Sequence, residues 1–579
     1  MKKYLFFGLV FLLSCAAEKE AAKTEIDVHS VVANPMNLNY RFQFDDPGWR
    51  EAADPVCEYF KGKYYLFASK SGGYWSSPDL KSWDFIPTKK IETIENYAPT
   101  ILVLDDTLYF MASWEPVRIY KTADPGNDDN WEPVDSKFHF NAEGSQDPAF
   151  YRDDDGRVYM YWGCSNVHPI YGVEVDPTNG FATMGDAVML IEHHSDKYGW
   201  ESVGENNERN KDGWNEGPCM IKYGGKYYLQ YAAPGTEFRV YADGAYVGDS
   251  PLGPFTYLES NPFSFKAGGF AGGAGHGHTF LDKYGNYWHV ATIKISQRHM
   301  FERRLGLFPL YFTKDGNPAT QTVWTDYPFV IPDEKTDFSE DDRSTGWNLL
   351  SYRKTAIVSS ELPGFPAVNA LNEAIENRWS AATGNPEEWF CVDLKAAMTV
   401  RALQVNFADQ DFTIRAPHEP FAYQYVIESS GNGVDWETLA DKSRNIKDAV
   451  HELIVLNHPV KTRYLKITNK KALPGKFSLY GFRVFGKGNG KLPATVTGVR
   501  VVRNPEDHRR YSLTWDRQDH ATGYIVRTGI SREQLLNAVI VYDNHYEGGF
   551  FNRDSRYYFS VEAFNENGII RSAEVFEAE

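Results

Sequence analysis

The chain has 579 residues, of which 42% are hydrophobic and 15% aromatic, and its formal net charge is −18. The negative charge argues against a nucleic-acid partner, because a protein that binds phosphates needs a basic surface. The length predicts several domains, and the aromatic residues favour β-strands.

The N-terminus has the pattern of an export signal. Lys2 and Lys3 precede a short apolar run that ends in Leu-Leu-Ser-Cys, too short to cross a bilayer. This resembles a lipoprotein signal, in which Cys15 becomes the lipidated first residue; an ordinary signal peptide stays the alternative. We predict a signal peptide over residues 1–15, a tether over residues 16–38, and a lipid anchor in the bacterial outer membrane, facing the periplasm or the cell surface.

Five stretches share one pattern, in which a special residue is followed by an apolar run, a polar turn and an aromatic-rich strand. Each indicates a β-hairpin, and the spacing is typical of one four-stranded propeller blade per repeat. We therefore predict an all-β fold that begins with a five-bladed β-propeller over residues 39–335. The stretches are DPVCEYFKGKYYLFAS from Asp54, APTILVLDDTLYFMAS from Ala98, DPAFYRDDDGRVYMYWG from Asp147, EGPCMIKYGGKYYLQYA from Glu216 and HGHTFLDKYGNYWHVAT from His276.

The same repeat predicts a site. Blades pack around one axis, so the opening residues should face a central channel and bring Asp54, Asp147, Glu216 and His276 together. Like charges at close range raise at least one carboxyl pKa, which keeps an acid protonated near neutral pH. Asp-Pro and Glu-Gly-Pro are also ordinary turn sequences. Only the shared register separates these carboxylates from turns such as Asp124-Pro125.

At these residues the sequence resembles glycoside hydrolase family 43, over about residues 40 to 332. Ala53-Asp54-Pro55 resembles the family's catalytic base motif, and SQDPAF around Asp147 resembles the motif of the carboxylate that tunes the acid. Glu216-Gly217-Pro218 resembles the general-acid motif. The histidine motif at His276 is similar to one that often serves a central ion. Arg304 matches an arginine that contacts substrate.

The resemblance implies a secreted, inverting, exo-acting glycoside hydrolase that acts on an oligo- or polysaccharide. α-L-Arabinofuranose or β-D-xylose, released from plant-type polysaccharide, is the expected product. An exo-β-galactosidase and a non-catalytic surface glycan-binding lipoprotein stay as alternatives. No cofactor is required, and a calcium ion beside His276 in the channel is left open. A stretch from Glu192 to Trp214 is interpreted as an insertion before the acid that reshapes the sugar subsites.

Two further β domains are predicted after the propeller. Residues 336–487 resemble a discoidin-like jelly roll, which is either a sugar-binding module or a structural spacer. Residues 495–579 resemble a fibronectin type III sandwich without chemistry of its own. The cysteines after Cys15 show no disulfide or zinc pattern and are predicted to be buried.

Overall fold

The computed structural model describes residues 26–44, 48–413 and 421–578. Cys15 and the signal peptide predicted before it lie outside these residues. In the part of the chain that is described, no helix has the length and apolar character needed to cross a membrane. The all-β prediction is confirmed there, since the helices are short 3-10 turns: Val28–Ser30, Asp128–Asn130, Pro177–Asn179, Gly199–Glu201 and Ala367–Leu371.

Five antiparallel sheets follow one another along the first part of the chain, and we number them one to five. The first contains Ala53–Phe60, Lys63–Ser69, Gly73–Ser77 and Asp84–Pro87; the second Thr100–Leu104, Thr107–Met111, Ile119–Thr122 and Glu132–Val134. The third contains Ala149–Arg152, Val158–Trp162, Ile170–Asp176, Ala182–Thr183 and Val188–Ile191. The fourth contains Glu216–Tyr223, Lys226–Ala233, Ala242–Gly248, Phe255–Tyr257 and Ser264–Phe265; the fifth Gly275–Leu281, Tyr287–Lys294, Arg303–Phe312 and Pro318–Thr320.

The five sheets are neighbours in cyclic order. The first strand of each sheet contacts the first strand of the next, and the first strand of sheet five contacts that of sheet one. Tight turns make the inner hairpins: Lys61 and Gly62, with φ of 46° and 89°, adopt the left-handed region that a two-residue hairpin loop requires. A cyclic order of this kind is what a five-bladed propeller requires.

A second unit is built on one eight-stranded antiparallel sheet. Its two longest strands, Trp389–Phe407 and His451–Asn469, pair along their lengths through β-bulges, which bend the sheet. The remaining strands are Asn348–Leu349, Thr355–Val358, Trp379–Ser380, Tyr425–Ser430, Glu437–Asp441 and Ser478–Lys487.

The C-terminal unit has two sheets that share one apolar core, which includes Leu513 and Phe559 from opposite sheets. One sheet has the strand order Arg500–Arg503, Tyr511–Thr514, His545–Gly548. The other has the order Asn537–Val541, Gly523–Gly529, Tyr558–Asn565, Gly568–Ile570, with Phe576–Glu577 beside the third strand. Two short pairs complete the described strands: Val31–Val32 with Phe329–Val330, and Ser202–Val203 with Arg209–Gly213.

Apolar cores run across the boundaries between these units. Leu305 in sheet five and Leu403 in the eight-stranded sheet belong to one buried cluster. The ring centroids of Phe265 in sheet four and Phe550 in the C-terminal unit are 4.3 Å apart. Both later units are therefore packed on the five sheets through buried apolar surface, which separates them from modules joined only by linkers.

The contact between Phe265 and Phe550 gives a stability prediction. Replacing buried Phe550 by alanine should lower the free energy of unfolding by about 3 kcal/mol, because the substitution leaves a cavity between two units. Urea denaturation followed by tryptophan fluorescence measures the change. Val434→Ala is the control, since Val434 is 76% exposed and its truncation removes little buried area. Equal midpoints for the two variants would contradict the packing argument.

Candidate active site

The residue that opens each inner strand adopts the left-handed backbone region. The φ angles are 50° at Asp54, 47° at Ala98, 55° at Asp147, 57° at Gly217 and 44° at His276. Residues other than glycine rarely adopt this region, and such positions cluster at functional sites. The five positions are therefore equivalent places in the five sheets, and they mark one end of the ring.

A side chain from the preceding sheet fixes the backbone at each of these places. The bonds run from every sheet to the one before it, and from sheet one back to sheet five. In sheet five the donor is Gly277, one residue after His276. The backbone N–H donors and their acceptors are Asp54 to Thr292 Oγ1 (2.9 Å), Ala98 to Ser69 Oγ (2.7 Å), Asp147 to Ser113 Oγ (2.9 Å), Gly217 to Asp147 Oδ2 (3.1 Å) and Gly277 to Asp243 Oδ2 (2.9 Å).

Glu216 lies one residue before the equivalent position in sheet four. It begins its strand just before a β-bulge, as Ala53 does in sheet one. The prediction that Glu216 shares the register of Asp54 is therefore wrong by one residue, and Gly217 occupies that place. A Cβ atom on Gly217 would lie 2.7 Å from the ring of His276, so glycine leaves room for the histidine.

Asp54 is a buried carboxylate surrounded by donors. Ser69 Oγ donates to Asp54 Oδ2 over 2.5 Å, and Arg303 Nη1 donates to Asp54 Oδ1 over 3.2 Å. Burial raises the pKa of Asp54, but the positive charges of Arg303 and His276 and the bond from Ser69 outweigh it and hold the pKa below its ordinary value. Asp54 is therefore ionised at neutral pH, which is the state that a general base needs.

Asp147 and Glu216 form a close carboxylate pair. One oxygen of each, together with Cys164 Sγ, lies within 4.8 Å of the others. Burial raises the pKa of Asp147 to about 7; the positive charge of His276 opposes this shift, and the negative charges of Glu216 and Asp54 add to it. Asp147 therefore keeps a proton near neutral pH, because burial and the like charges beside it resist its ionisation.

Three donors surround the carboxylate of Glu216. Trp214 Nε1 donates to Glu216 Oε2 over 2.8 Å, Cys164 Sγ donates to the same oxygen over 3.3 Å, and the Tyr241 hydroxyl donates to Oε1. Burial, aided by the negative charges of Asp147 and Glu216, raises the pKa of the Cys164 thiol. Cys164 therefore stays a thiol, whereas metals bind the thiolate. The prediction that Cys164 is buried is wrong, since it is partly exposed, and its Sγ bonds to Glu216.

His276 joins the base to the carboxylate pair. Its Nδ1 atom lies 3.5 Å from Asp54 Oδ1 and 3.7 Å from Asp147 Oδ2. Burial lowers the pKa of His276, but the surrounding carboxylates outweigh it and raise the pKa above its ordinary value. A calcium ion takes six to eight oxygen ligands, whereas here the nearby carboxylates already face two cationic side chains, His276 and Arg303. The donor set therefore fits an imidazolium–carboxylate cluster, and a calcium ion beside His276 stays a prediction.

Arg304 lies away from this cluster. It is fully buried, its Nε donates to His451 Nε2 over 3.1 Å, and its Nη1 donates to the carbonyl of Arg50 over 2.8 Å. The prediction that Arg304 contacts substrate is therefore wrong. Successive side chains of a strand point to opposite faces, so the neighbouring Arg303 is the residue that reaches Asp54. The sequence has two adjacent arginines, Arg303 and Arg304. It does not show which of the two side chains faces the site.

Aromatic side chains line the same side of the site as Arg303. The Trp49 and His299 rings stack with centroids 4.5 Å apart, and the Phe301 and Tyr97 centroids are 5.6 Å apart. The Arg303 guanidinium carbon lies 4.8 Å from the Phe301 centroid. The rings offer flat apolar surface beside the base, and they come from three separate loops that the sequence could not bring together.

The stretch from Glu192 to Trp214, interpreted as an insertion, is attached to the C-terminal unit. The backbone N–H of Gly199 donates to the carbonyl of Phe551 over 3.0 Å, and Arg509 Nη1 donates to Ser202 Oγ over 2.8 Å. Its last residue, Trp214, donates to Glu216. This segment therefore connects the C-terminal unit to a carboxylate of the site through hydrogen bonds.

The described geometry defines a carboxylate-based hydrolytic centre, and comparison with known proteins agrees with it. Residues 49–318 match the model of glycosyl hydrolases family 43, and residues 355–481 match the F5/8 type C domain. The chain is thus a glycoside hydrolase with a family 43 domain, followed by a discoidin-like F5/8 type C domain. Its substrate class is an oligo- or polysaccharide.

Three relatives show the range of activities to which the chain is similar. A β-D-galactofuranosidase of Aspergillus niger is 27% identical over 40% of this chain and 69% of its own length. A β-xylosidase of Xylanibacter ruminicola is 31% identical over 20% and 40%. An arabinoxylan arabinofuranohydrolase of Paenibacillus polymyxa is 29% identical over 25% and 22%. The chain spans less than half the length of the latter two.

The contact between Arg303 and Asp54 gives a prediction on pH dependence. Arg303→Met removes the positive charge that lowers the pKa of Asp54, so the acid limb of the kcat/KM profile should move to higher pH by about one unit. The pH–rate profile of hydrolysis measures this shift. Arg118→Met, at an exposed arginine just before the strand Ile119–Thr122, is the control. An acid limb that stays in place in both variants would refute the assignment of Asp54.

Proposed function

We propose that the chain is a secreted, exo-acting, inverting glycoside hydrolase that releases terminal α-L-arabinofuranose, or β-D-xylose, from plant-type polysaccharide. The observation that carries this proposal is the asymmetry of the three carboxylates. Asp54 is held ionised, whereas burial and its negative neighbours raise the pKa of Asp147 to about 7, so that Asp147 keeps a proton near neutral pH. A base and an acid at one site are the minimum for single-displacement hydrolysis.

In this proposal Asp54 is the general base. Its carboxylate removes a proton from the water that attacks the anomeric carbon, and Arg303 and Ser69 fix its two oxygens while the charge is transferred. The bond between water oxygen and the anomeric carbon forms as the glycosidic bond breaks. Attack from the face opposite the leaving group inverts the anomeric configuration.

Glu216 is the general acid. It is half-buried, whereas Asp147 is 6% exposed, so Glu216 is the member of the pair that can reach a glycosidic oxygen. In the free enzyme Asp147 holds the proton. During the reaction this proton passes to Glu216 and from Glu216 to the leaving oxygen. Donation of this kind supplies about 10²–10⁴-fold of rate.

The sugar is proposed from ring stereochemistry and the relatives. α-L-Arabinofuranose and β-D-galactofuranose have the same ring configuration and differ by one exocyclic carbon. Relatives named for arabinofuranose and for galactofuranose therefore favour an α-L-arabinofuranoside-type ring in this site. β-D-Xylose is the second candidate, supported by the β-xylosidase relative.

The remaining architecture and location are part of the proposal. The five sheets are proposed to close into a five-bladed propeller, which the hydrogen bond between sheets one and five supports. The C-terminal unit is proposed to be fibronectin type III-like, which its strand order supports. The lipoprotein-type signal ending at Cys15 supports attachment to the outer membrane. A non-catalytic glycan-binding protein is the less favoured reading, because all three carboxylates are present in one cluster.

The test is a panel of nitrophenyl glycosides, namely α-L-arabinofuranoside, β-D-xyloside, β-D-galactofuranoside and β-D-galactopyranoside. We expect turnover of the arabinofuranoside above the others, with the β-anomer of arabinose as the first product in proton NMR spectra. Retention of configuration would contradict the single-displacement mechanism. Turnover of the galactopyranoside alone would contradict the proposed sugar.

The roles of Glu216 and Asp54 can be separated with leaving groups. Glu216→Gln should lose about 10³-fold in kcat on an alkyl glycoside but little on a 2,4-dinitrophenyl glycoside, whose leaving group needs no proton. Asp54→Asn should lose a similar factor on both, because water activation is needed in each case. Stopped assays on the two substrates measure this. If Glu216→Gln loses the same factor on both substrates, Glu216 is not the acid.

A further inference from the structure

Two arginines are buried directly behind the base, and the discoidin-like domain supplies their partners. Arg50 has no exposed surface; its Nε donates to Asp409 Oδ2 over 2.9 Å, and its Nη1 donates to Asp448 Oδ2 over 2.5 Å. Arg304 is equally buried and donates to His451 Nε2. Asp409, Asp448 and His451 all belong to the second domain.

These arginines are the chain neighbours of Glu51 and Arg303, which bond to each other, and Arg303 contacts the base. Arg50 precedes Glu51, and Glu51 Oε1 accepts from Arg303 Nη2 over 2.6 Å. Arg304 follows Arg303, which donates to Asp54. Arg304 also donates to the carbonyls of Arg50 and Arg303, so it ties the two segments together. Any displacement of the two arginines is therefore passed directly to Asp54.

We propose that the discoidin-like domain is a positioning part of the catalytic centre, in which Asp409, Asp448 and His451 hold Arg50 and Arg304 and thereby orient Arg303 against the base Asp54. This inference rests on the proposed role of Asp54 as the base. It assigns the domain a role in the reaction itself, which neither a sugar-binding module nor a spacer would have.

Charge balance explains why the domain is needed. Asp409 and Asp448 both form ion pairs with Arg50, whereas Arg304 bonds to the ring of His451, and both arginines are fully buried. A buried charge without a partner destabilises its surroundings by several kcal/mol. Without the second domain, Arg50 would lose both carboxylate partners and Arg304 its bond to His451, and the segments that carry Glu51 and Arg303 would lose the contacts that fix them.

His451 is built to accept from Arg304. Burial, with the positive charges of Arg304 and Arg50, lowers the pKa of His451, so its ring is neutral. Its Nδ1 faces Asn406 Oδ1 at 2.8 Å, which fixes the proton on Nδ1 and leaves Nε2 as the acceptor. A leucine at this position would remove the acceptor, whereas a glutamine would keep one.

The experiment compares four full-length variants with the unmodified chain. His451→Leu and Asp448→Asn should each lower kcat about 10-fold or more with KM changed less than about twofold, because a small displacement of a reacting group costs rate more than binding. His451→Gln should restore most of the rate. Lys447→Ala is the control, since Lys447 and Asp84 form an exposed ion pair of 3.6 Å across the same two units.

Amide hydrogen exchange of the segment 49–60 is the second readout, and it needs no substrate. His451→Leu and Asp448→Asn should accelerate exchange in this segment, whereas Lys447→Ala should not. Normal kcat and normal exchange of the segment in both variants would overturn the inference, as would acceleration confined to the second domain. If the unmodified chain hydrolyses no glycoside, the proposed function fails, and the exchange data still decide this inference.

Discussion

The structure depends on neutralising carboxylates that are brought together away from solvent. Asp54, Asp147 and Glu216 meet at one end of a ring of sheets, and like charges in such a place resist ionisation. Arg303 and His276 supply positive charge next to Asp54, and one proton compensates the other pair. The arrangement therefore leaves one carboxylate ionised and keeps one proton available, which is the division that acid–base hydrolysis requires.

The same balance extends outward to the other domains. Arg303 needs Glu51, and the arginines next to these two residues need the carboxylates of the second domain. Apolar cores cross the boundaries as well, so the discoidin-like domain and the C-terminal unit complete the interior of the five sheets. Fold and site are thus stabilised by the same contacts, and neither later unit is an accessory that could be exchanged without effect on the site.

The repeated hairpins were predicted correctly from the sequence, but the exact register of Glu216 and the sheet face of Arg304 were not. Hairpin turns and aromatic strands are local features, so the five-fold pattern and the positions of Asp54 and Asp147 could be read from it. Glu216 was placed one residue out of register because the equivalent of Asp54 in sheet four is Gly217, which has no side chain to mark the position. Arg304 was chosen where Arg303 contacts Asp54, since the sequence does not show which face of the sheet each of two adjacent strand residues takes. The bonds of Arg50 to the second domain connect residues more than 350 positions apart in the chain, and no local pattern predicts them.

The acid side of the site depends on the C-terminal unit in a comparable way. The insertion from Glu192 to Trp214 has few strands of its own, yet its backbone bonds to Phe551 and its Ser202 bonds to Arg509. Trp214, at the end of this segment, donates to Glu216. The position of Glu216, the proposed acid, is therefore set by a segment that is bonded to the third unit. In the proposed mechanism the base Asp54 is held from the second unit and the acid Glu216 from the third, so the packing of all three units sets the separation between them. In an enzyme of this class that separation determines whether a water molecule fits between base and sugar, and for this reason the site requires the whole chain.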